Sequence, residues 1–382
     1  MCAESARCSR DTRYNAVMVR AIHSCIVLDV APGRGSAAFV EWGEGGMKTV
    51  ESHALIALES HGKEGAAAAV ARKLDEAMAR ILESAHNVRH VLYLLHPPFV
   101  TVETVIAEAN FEGETVVTPE ILQEMARESL SAASIVDTKR LFDAGVTRTW
   151  LNGYPTREPS GKKALTVSVA SVISNCDEEL RTSIEAWAQR ALPSADVFGR
   201  AFPRALLRVR DGRPGTSDSY LAIYMQLEDT HILTVHDGIL TDQRSIPYGA
   251  RTLLKKVSGK HSPEELLSLI RLLGREACEA EACREIEGAL ALAEPELVKA
   301  FGEALGGMAT TRRLPNELVL LTHRDLAAWL GQAFSRIDFS QFTLTTLPFQ
   351  VKIPVKEERE ESADASLAIS ELFAYDELTA GS

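Results

Sequence analysis

The chain contains the same order of apolar runs and turns twice. Each copy begins with β-branched and apolar runs around a glycine-containing turn and continues into a helix-forming segment. The first copy has apolar runs at residues 22–30 and 36–42 and a helical segment at 65–84, and the second has runs at 220–226, 230–235 and 239–246 before a helical segment at 249–257. Such runs predict β-hairpins. Two hairpin-first halves indicate a duplicated α/β domain.

A further segment, residues 88–173, separates parts of the first half. Its residues 88–95 form a buried-strand candidate, and Thr118-Pro119-Glu120 places a capping residue, a proline and a glutamate at the start of a helix. Two strand candidates follow at 146–151 and 164–173. We therefore predict a strand-helix-strand-strand insert.

The remaining boundaries follow from changes in composition. We predict a disordered leader at 1–21, a first half at 22–87 and 174–215, the insert at 88–173, a second half at 216–347 with a helical subdomain at about 258–308, and an acidic tail at 348–382. In the helical subdomain we expect separate helices at 275–292 and 294–305. From Lys356 onward the tail has two basic and eight acidic residues, so we expect it to be mobile.

Charge and hydropathy exclude several classes of protein. The chain has 41 Lys and Arg residues against 53 Asp and Glu residues, a net charge of -12, which argues against a dedicated nucleic-acid binder. It contains no run of 18 apolar residues and no apolar leader, so we expect a cytoplasmic protein. Cys278 and Cys283 would lie about 140° apart around a helix, so we expect unpaired thiols there and no metal site.

Two sets of motifs carry a family resemblance. One set is Leu151-Asn152-Gly153-Tyr154-Pro155 with Pro159-Ser160-Gly161-Lys162-Lys163, and the other is His236-Asp237-Gly238 with Arg244-Ser245-Ile246-Pro247-Tyr248-Gly249. With the duplicated halves and the insert, they resemble the actin-like FtsA/PilM group. The resemblance implies a duplicated actin/Hsp70-like (ribonuclease H-like) fold with an SHS2-type insert, covering residues 22–334.

The resemblance also implies where a nucleotide would bind. The residues in the corresponding positions are Asp29, Gly33, Gly35, Thr230, Gly249 and Thr322. In such a fold, glycines let the backbone approach the phosphates, and a carboxylate on each hairpin organises a metal-bound water. Here Tyr224 replaces the second carboxylate, and Glu228 and Asp229 would repel phosphate. Asp29 itself either organises a metal or makes a local turn bond, and we favour the turn bond.

We therefore predict a non-enzymatic scaffold or adaptor in cell division or type IV pilus assembly, with poor ATP binding and no cofactor. The alternative is an active ATPase or small-molecule kinase that uses ATP and Mg²⁺. A weaker alternative is a free-standing adaptor that binds one peptide through the insert. The expected partner is a protein, either a membrane-anchored division or pilus protein or a second copy of the chain. The partner-binding residues that we predict are Asn152, Gly153, Tyr154, Lys162 and Lys163.

Direct membrane binding is not expected. The last 20 residues offer apolar side chains, but no Lys or Arg follows Arg359 to attract an anionic bilayer. We expect any location at the inner face of the membrane to depend on a protein partner.

Overall fold

The computed structural model describes most of the chain. The described residues are 23–43, 46–56, 66–211, 213, 215–278, 281–310, 312–339, 348–354 and 365–379. The predicted leader at 1–21 lies outside these residues.

The first half and the insert alternate along the chain. The first half begins with β1 (His23–Ala31), β2 (Arg34–Gly43), β3 (Gly46–Ile56), α1 (Ala66–Ser84) and β4 (His90–Leu95). The insert follows with β5 (Val100–Val116), α2 (Pro119–Ala132), β6 (Asp143–Leu151), β7 (Tyr154–Thr156) and β8 (Lys163–Cys176). The chain then returns to the first half with α3 (Glu178–Ala191), β9 (Asp196–Ala201) and α4 (Phe202–Arg210).

The second half follows a linker at residues 211–219. Its elements are β10 (Tyr220–Met225), β11 (Thr230–His236), β12 (Ile239–Ile246), α5 (Ala250–Val257), α6 (Pro263–Gly274), α7 (Glu281–Ala309), β13 (Glu317–Leu321), α8 (Arg324–Arg336) and β14 (Gln350–Lys352). A last helix, α9 (Ala365–Thr379), ends the described chain.

The two large sheets have the same topology. Their strand orders are β3-β2-β1-β4-β9 and β12-β11-β10-β13-β14. In each sheet the first three strands are antiparallel and the last two join in parallel. The second half has an apolar core of its own, and the core of the first half also includes residues of the second sheet such as Tyr220, Leu233 and Val319. This duplicated arrangement is the actin/Hsp70-like fold, and the predicted fold class is confirmed.

The insert begins later than the sequence analysis placed it. Residues 90–95 form β4, which pairs in parallel with β1 and β9 in the centre of the first sheet, so the predicted start at residue 88 is too early. The apolar residues of β4 are buried because a central parallel strand is covered on both faces. The first strand of the insert is instead β5, a 17-residue strand that the sequence analysis missed.

The insert is a small layer structure of its own. Its sheet has the order β5-β8-β6-β7. Helix α2 packs on one face of this sheet, where Met125 of α2 and Val169 of β8 belong to the same buried apolar cluster. Thr118 caps α2 by accepting a hydrogen bond from the Ile121 backbone N–H, as the sequence predicts. Assignment of this unit to the SHS2 type stays a prediction.

The predicted boundary at 348 is wrong, and so is the predicted mobility of the tail for residues 365–379, the part of the tail after residue 354 that the structure describes. Residues 350–352 form β14 and extend the second sheet beside β13. In α9, apolar side chains including Leu367, Ile369 and Phe373 are buried in the core of the first half. A segment with this much apolar surface is held by packing although its charge is acidic. No helix within the described ranges is long and apolar enough to span a membrane.

Two local predictions for the helical subdomain also fail. The expected break between residues 292 and 294 is absent from α7, because its buried face continues on both sides of Pro295 through Leu290, Leu297 and Phe301. Cys278 and Cys283 form a disulfide. Cys278 precedes α7, so the helical angle used in the prediction does not apply to it.

Candidate functional site

The carboxyl ends of β1 and β10 face the cleft between the two halves. Ligands of open α/β folds bind at such strand ends. Asp29 lies near the end of β1 and Tyr224 near the end of β10. Both side chains are buried, at 0% and 2% exposure. We call this region the cleft, and it is where the nucleotide residues inferred from the sequence are found.

Asp29 is held by side chains from three elements. His96, which follows β4, places Nε2 3.0 Å from Asp29 Oδ1, and Arg34 of β2 places Nη2 3.2 Å from the same oxygen. From α9, Ser370 Oγ donates to Asp29 Oδ2 at 2.6 Å and Ser366 Oγ donates to Oδ1 at 3.3 Å. The Asp29 carboxylate therefore forms ion pairs and accepts hydrogen bonds from side chains of the protein itself.

These contacts control the ionisation of Asp29. Burial alone would raise the pKa of this carboxyl, but the charge and hydrogen bond of His96, the charge of Arg34 and the Ser370 hydroxyl together lower the pKa below its ordinary value. Asp29 is consequently a charged group that is paired within the protein, and whether it organises a metal stays a prediction.

The turns of the two hairpins touch each other across the cleft. Gly33 has a φ of +74°, and a Cβ there would lie 2.9 Å from Cβ of Leu227, so the Leu227 side chain fills the space above the first turn. A Cβ on Gly249 would lie 2.5 Å from the backbone of Glu228. Both glycines allow close approach, as predicted, but they approach the protein's own second turn.

The amino end of α5 is also occupied. The backbone N–H of Ala250 donates to the Gln226 carbonyl and that of Arg251 donates to the Leu227 carbonyl, both at 2.8 Å. Free N–H groups at a helix start can bind an anion. Here carbonyl groups of the turn at residues 226–229 accept hydrogen bonds from two of these N–H groups. Those two N–H groups are the ones that the resemblance would assign to phosphate.

Aromatic rings fill the rest of the cleft floor. The His96 ring stacks on Phe202 with 3.9 Å between centroids, and Tyr224 meets both rings edge-on. Burial, then the neighbouring Tyr220 and Asp29, raises the pKa of Tyr224 well above its ordinary value. Tyr224 therefore stays neutral and cannot replace the carboxylate that the resemblance implies at this position.

The other predicted nucleotide residues lie beside these contacts. Gly35 pairs with Val30 in the first hairpin. Thr230 is fully buried and donates from Oγ1 to the Tyr248 carbonyl at 2.6 Å. Thr322 is buried behind β13, and its hydroxyl has no hydrogen-bond partner among the described residues.

The space left in the cleft is small and mainly apolar. A cavity of about 60 Å³ remains. Its lining includes Tyr224, Leu227, Leu254, Leu267 and Leu321. Pockets for drug-sized ligands occupy about 300–1,000 Å³, so this cavity is smaller than a pocket of that class.

A larger concave region lies beside the insert. It has a volume of about 440 Å³ and runs along β6 between α2, β7, the end of α4 and the linker. We call it the groove. Its charged lining consists of Arg148, Arg157, Arg208, Asp211 and Asp218. Among the described strands, β7 pairs with β6 only at residues 149–151, so the start of β6 has no strand on that side.

None of the predicted partner-binding residues is part of the groove lining, although Tyr154 is next to Pro155, which lines it. Tyr154 is 76% exposed, and Lys162 reaches Thr156 at the groove with Nζ 2.9 Å from Oγ1. Lys163 lies elsewhere and approaches Glu114 at 3.9 Å. Asn152 and Gly153 form the β6–β7 turn with positive φ, and Asn152 Oδ1 accepts from the N–H groups of residues 165 and 166.

Sequence reasoning missed several residues of both regions. His96 directly follows a buried strand and precedes two prolines, which is a position at the binding edge of a parallel sheet. This position in the sequence could have identified His96 as a residue of the cleft. Ser366 and Ser370 gave none, because their role depends on α9 returning to the first half. Arg148 and Arg208 belong to different elements, and only the folded chain brings them to the same groove.

Comparisons with known proteins find similar solved structures at low sequence identity. No protein-family model matches the sequence, and no curated protein matches it. Among solved structures, the PilM–PilN type IV pilus biogenesis complex is 15% identical over 92% of this chain and 96% of that chain, with a TM-score of 0.48. The ethanolamine utilization protein EutJ from Carboxydothermus hydrogenoformans is 11% identical over 93% and 89%, with a TM-score of 0.41.

A Bacteroides thetaiotaomicron protein with an actin-like ATPase fold is 10% identical over 91% of this chain and 95% of that chain, with a TM-score of 0.36. Because each of these TM-scores is below 0.5, we take the fold from the strand order of the chain itself.

Proposed function

We propose that this protein is a non-enzymatic scaffold or adaptor built on the actin-like fold. Its cleft is closed by its own residues, and the groove beside the insert binds an acidic segment of a partner protein. The observation that carries the proposal is the position of Leu227, whose side chain occupies the space above the Gly33 turn where a phosphate would lie.

Opening the cleft for ATP would have a high energetic cost. The Leu227 side chain would have to leave apolar neighbours, and the α5 N–H groups would have to give up the Gln226 and Leu227 carbonyls. Asp29 would also have to exchange Arg34 and His96 for a metal-bound water. Losing one partner of a buried ion pair alone costs about 3–5 kcal/mol. These costs support a protein that does not use ATP.

The groove supports an extended, acidic occupant. The unpaired side of β6 can accept a further strand through its backbone groups. Three arginines and two aspartates line the groove, a net charge of +1 in a chain of net charge -12. Arg208 is exposed and makes no ion pair with any described residue, while Arg157 is 60% exposed and lies 3.7 Å from Asp211. The guanidinium groups of Arg208 and Arg157 can therefore form ion pairs with an acidic segment.

Peptide selection tests the groove directly. We would select random ten-residue peptides by display on the full chain and then measure the affinity of the enriched peptides by fluorescence anisotropy. The test variant carries Arg157→Glu and Arg208→Glu together. The matched control carries Lys139→Glu and Arg140→Glu together, which reverses two exposed charges of the same insert outside the groove.

We expect enriched peptides that combine Asp or Glu with apolar residues at alternate positions. Their affinity should fall at least about tenfold in the double variant and stay unchanged in the control. Peptides that are not acidic, or that bind the double variant as well as the wild type, would contradict the proposal.

The cellular setting is a second part of the proposal. We propose a role in cell division or type IV pilus assembly, with a membrane-anchored partner supplying the acidic segment. This part rests on the sequence resemblance alone. The apolar side chains of α9 are packed in the core, so they are not available to a bilayer, which supports recruitment through a partner.

A further inference from the structure

Arg148 joins three parts of the molecule at one point. The residue belongs to β6 of the insert, and its side chain is 10% exposed. Nη1 donates to Asp211 Oδ1 at 2.9 Å, and Nη2 donates to Asp218 Oδ2 at 2.6 Å. A planar guanidinium that hydrogen-bonds two carboxylates through separate nitrogens fixes their direction as well as their distance, which an ammonium does not do.

The two aspartates mark the ends of the linker between the halves. Asp211 is the C-cap of α4, the last element of the first half before the linker. Asp218 stands two residues before β10, the first strand of the second half. Arg148 therefore clamps both ends of the segment across which the halves would rotate.

The second half also contacts Arg148 through a turn that the sequence analysis singled out. In the turn Asp237-Gly238, both residues have positive φ, at 52° and 75°. A Cβ on Gly238 would lie 2.6 Å from Arg148 Nη1. Gly238 N–H donates to the Asp218 carbonyl at 2.7 Å. This backbone hydrogen bond joins the turn to the linker next to the Arg148 guanidinium.

We propose that Arg148 is a positioning residue that sets the relative orientation of the two halves, so that the insert controls the hinge. The inference extends the proposed function, because Arg148 also lines the groove. An acidic segment bound there competes with Asp218, which is 47% exposed, for the same guanidinium. Release of Asp218 loosens the linker and the cleft. Occupation of the groove then changes the orientation of the halves, without a nucleotide.

Hydrogen exchange of the full chain, without any peptide, tests this clamp. The test variant is Arg148→Met, which keeps the length of the side chain and removes both hydrogen bonds. Asp218→Asn is a second variant that keeps Arg148 and Asp211 paired. Arg140→Met is the matched control, since Arg140 is an exposed arginine of the same insert that does not line the groove. The readout is the exchange rate of residues 226–230, which line or adjoin the cleft and not the groove.

We expect residues 226–230 to exchange at least about tenfold faster in Arg148→Met, with a smaller increase in Asp218→Asn. Arg148→Lys should restore only part of the protection, and the Arg140→Met control should match the wild type. Faster exchange confined to the linker at 211–219 would overturn the inference. If Arg148→Met does not fold, an unchanged cleft in Asp218→Asn would overturn it.

The acidic peptides selected on the groove provide a separate arm. Their addition to the wild type should raise exchange at residues 226–230 as well. Failure of this arm alone, with selected peptides bound, refutes control by the groove and leaves the binding function intact. Absence of any acidic binder instead refutes the proposed function, while the result for Arg148→Met still decides the clamp.

Discussion

Asp29 shows how the surroundings of one residue decide between two kinds of chemistry. A carboxylate at the end of the first strand resembles a catalytic group when the sequence is read alone. In the folded chain it is buried with Arg34 and His96 and accepts hydrogen bonds from two serines of α9. The sequence identified the position, but the partners come from segments up to 341 residues away, so its role could not be predicted.

Replacing Asp29 by Asn should destabilise the protein strongly. The change leaves Arg34 and His96 without their buried counter-ion, and we expect the free energy of unfolding to fall by about 3–5 kcal/mol. Denaturant titration measures this value. Asp196→Asn is the matched control, because the Asp196 side chain is 86% exposed, and it should change stability by less than about 0.5 kcal/mol.

The effect of Asp29 should depend on pH. Its folded pKa is lower than the ordinary value of about 3.9, so the carboxylate stabilises the fold fully above about pH 4. The difference between wild type and Asp29→Asn should therefore be constant near neutral pH and shrink as the pH falls below about 4. Equal stability of wild type and variant at neutral pH would refute the buried ion pair.

Contact between the two turns can be measured by a double-mutant cycle. Gly33→Ala should be destabilising because of its positive φ and because the new Cβ meets Leu227. In a Leu227→Gly background, which removes the Leu227 Cβ that lies 2.9 Å away, the steric part should disappear, giving a coupling energy of at least about 0.5 kcal/mol. Gly153→Ala is the matched control, since its φ is +82° and a Cβ there would meet nothing within 4 Å. Additive effects for Gly33 and Leu227 would show that the turns do not touch.

At the scale of elements, the duplication contains more information than the sequence analysis used. In the first half, β9 and α4 follow α3, and in the second half, β14 and α9 follow α8. The last strand and helix of the second half were therefore implied by the first half. They were missed because β14 has three residues and because the acidic charges of the tail were given more weight than its apolar side chains.

Removal of α9 should unfold the first half. Deleting residues 365–382 exposes the core that Leu367, Ile369 and Phe373 cover and removes both serines from Asp29. We expect the cooperative unfolding transition to disappear, as followed by near-UV circular dichroism. Deleting residues 380–382 alone serves as the control and should leave the transition unchanged. A folded, cooperative protein without α9 would contradict its place in the core.

The insert, by contrast, should be removable. Asp177 N–H donates to the Phe99 carbonyl at 2.8 Å, so the ends of residues 100–176 are adjacent and two glycines can join them. Val100, Val102 and Val172 pack in the first core, so we expect a loss of about 3 kcal/mol or more. The remainder should keep one cooperative transition and bind none of the selected peptides. Loss of all folded structure would show that the insert completes the core.

At the scale of the whole molecule, the fold could be predicted because the repeated hairpins, turns and helices are local patterns. The closure of the cleft could be predicted only in part. The missing glycines and the acidic residues of the second turn suggested poor phosphate binding, but the contact of Leu227 with Gly33 joins residues almost 200 positions apart. The groove depends on four separate segments, and no local pattern indicated it.

Calorimetric titration of the full chain with Mg-ATP tests the central claim most directly. Because the cleft is closed by Leu227 and Asp29 is already paired, we predict no saturable heat up to about 1 mM ATP, which limits the binding free energy to about 4 kcal/mol. A micromolar dissociation constant with one ATP per chain would contradict the account and favour an active nucleotide enzyme.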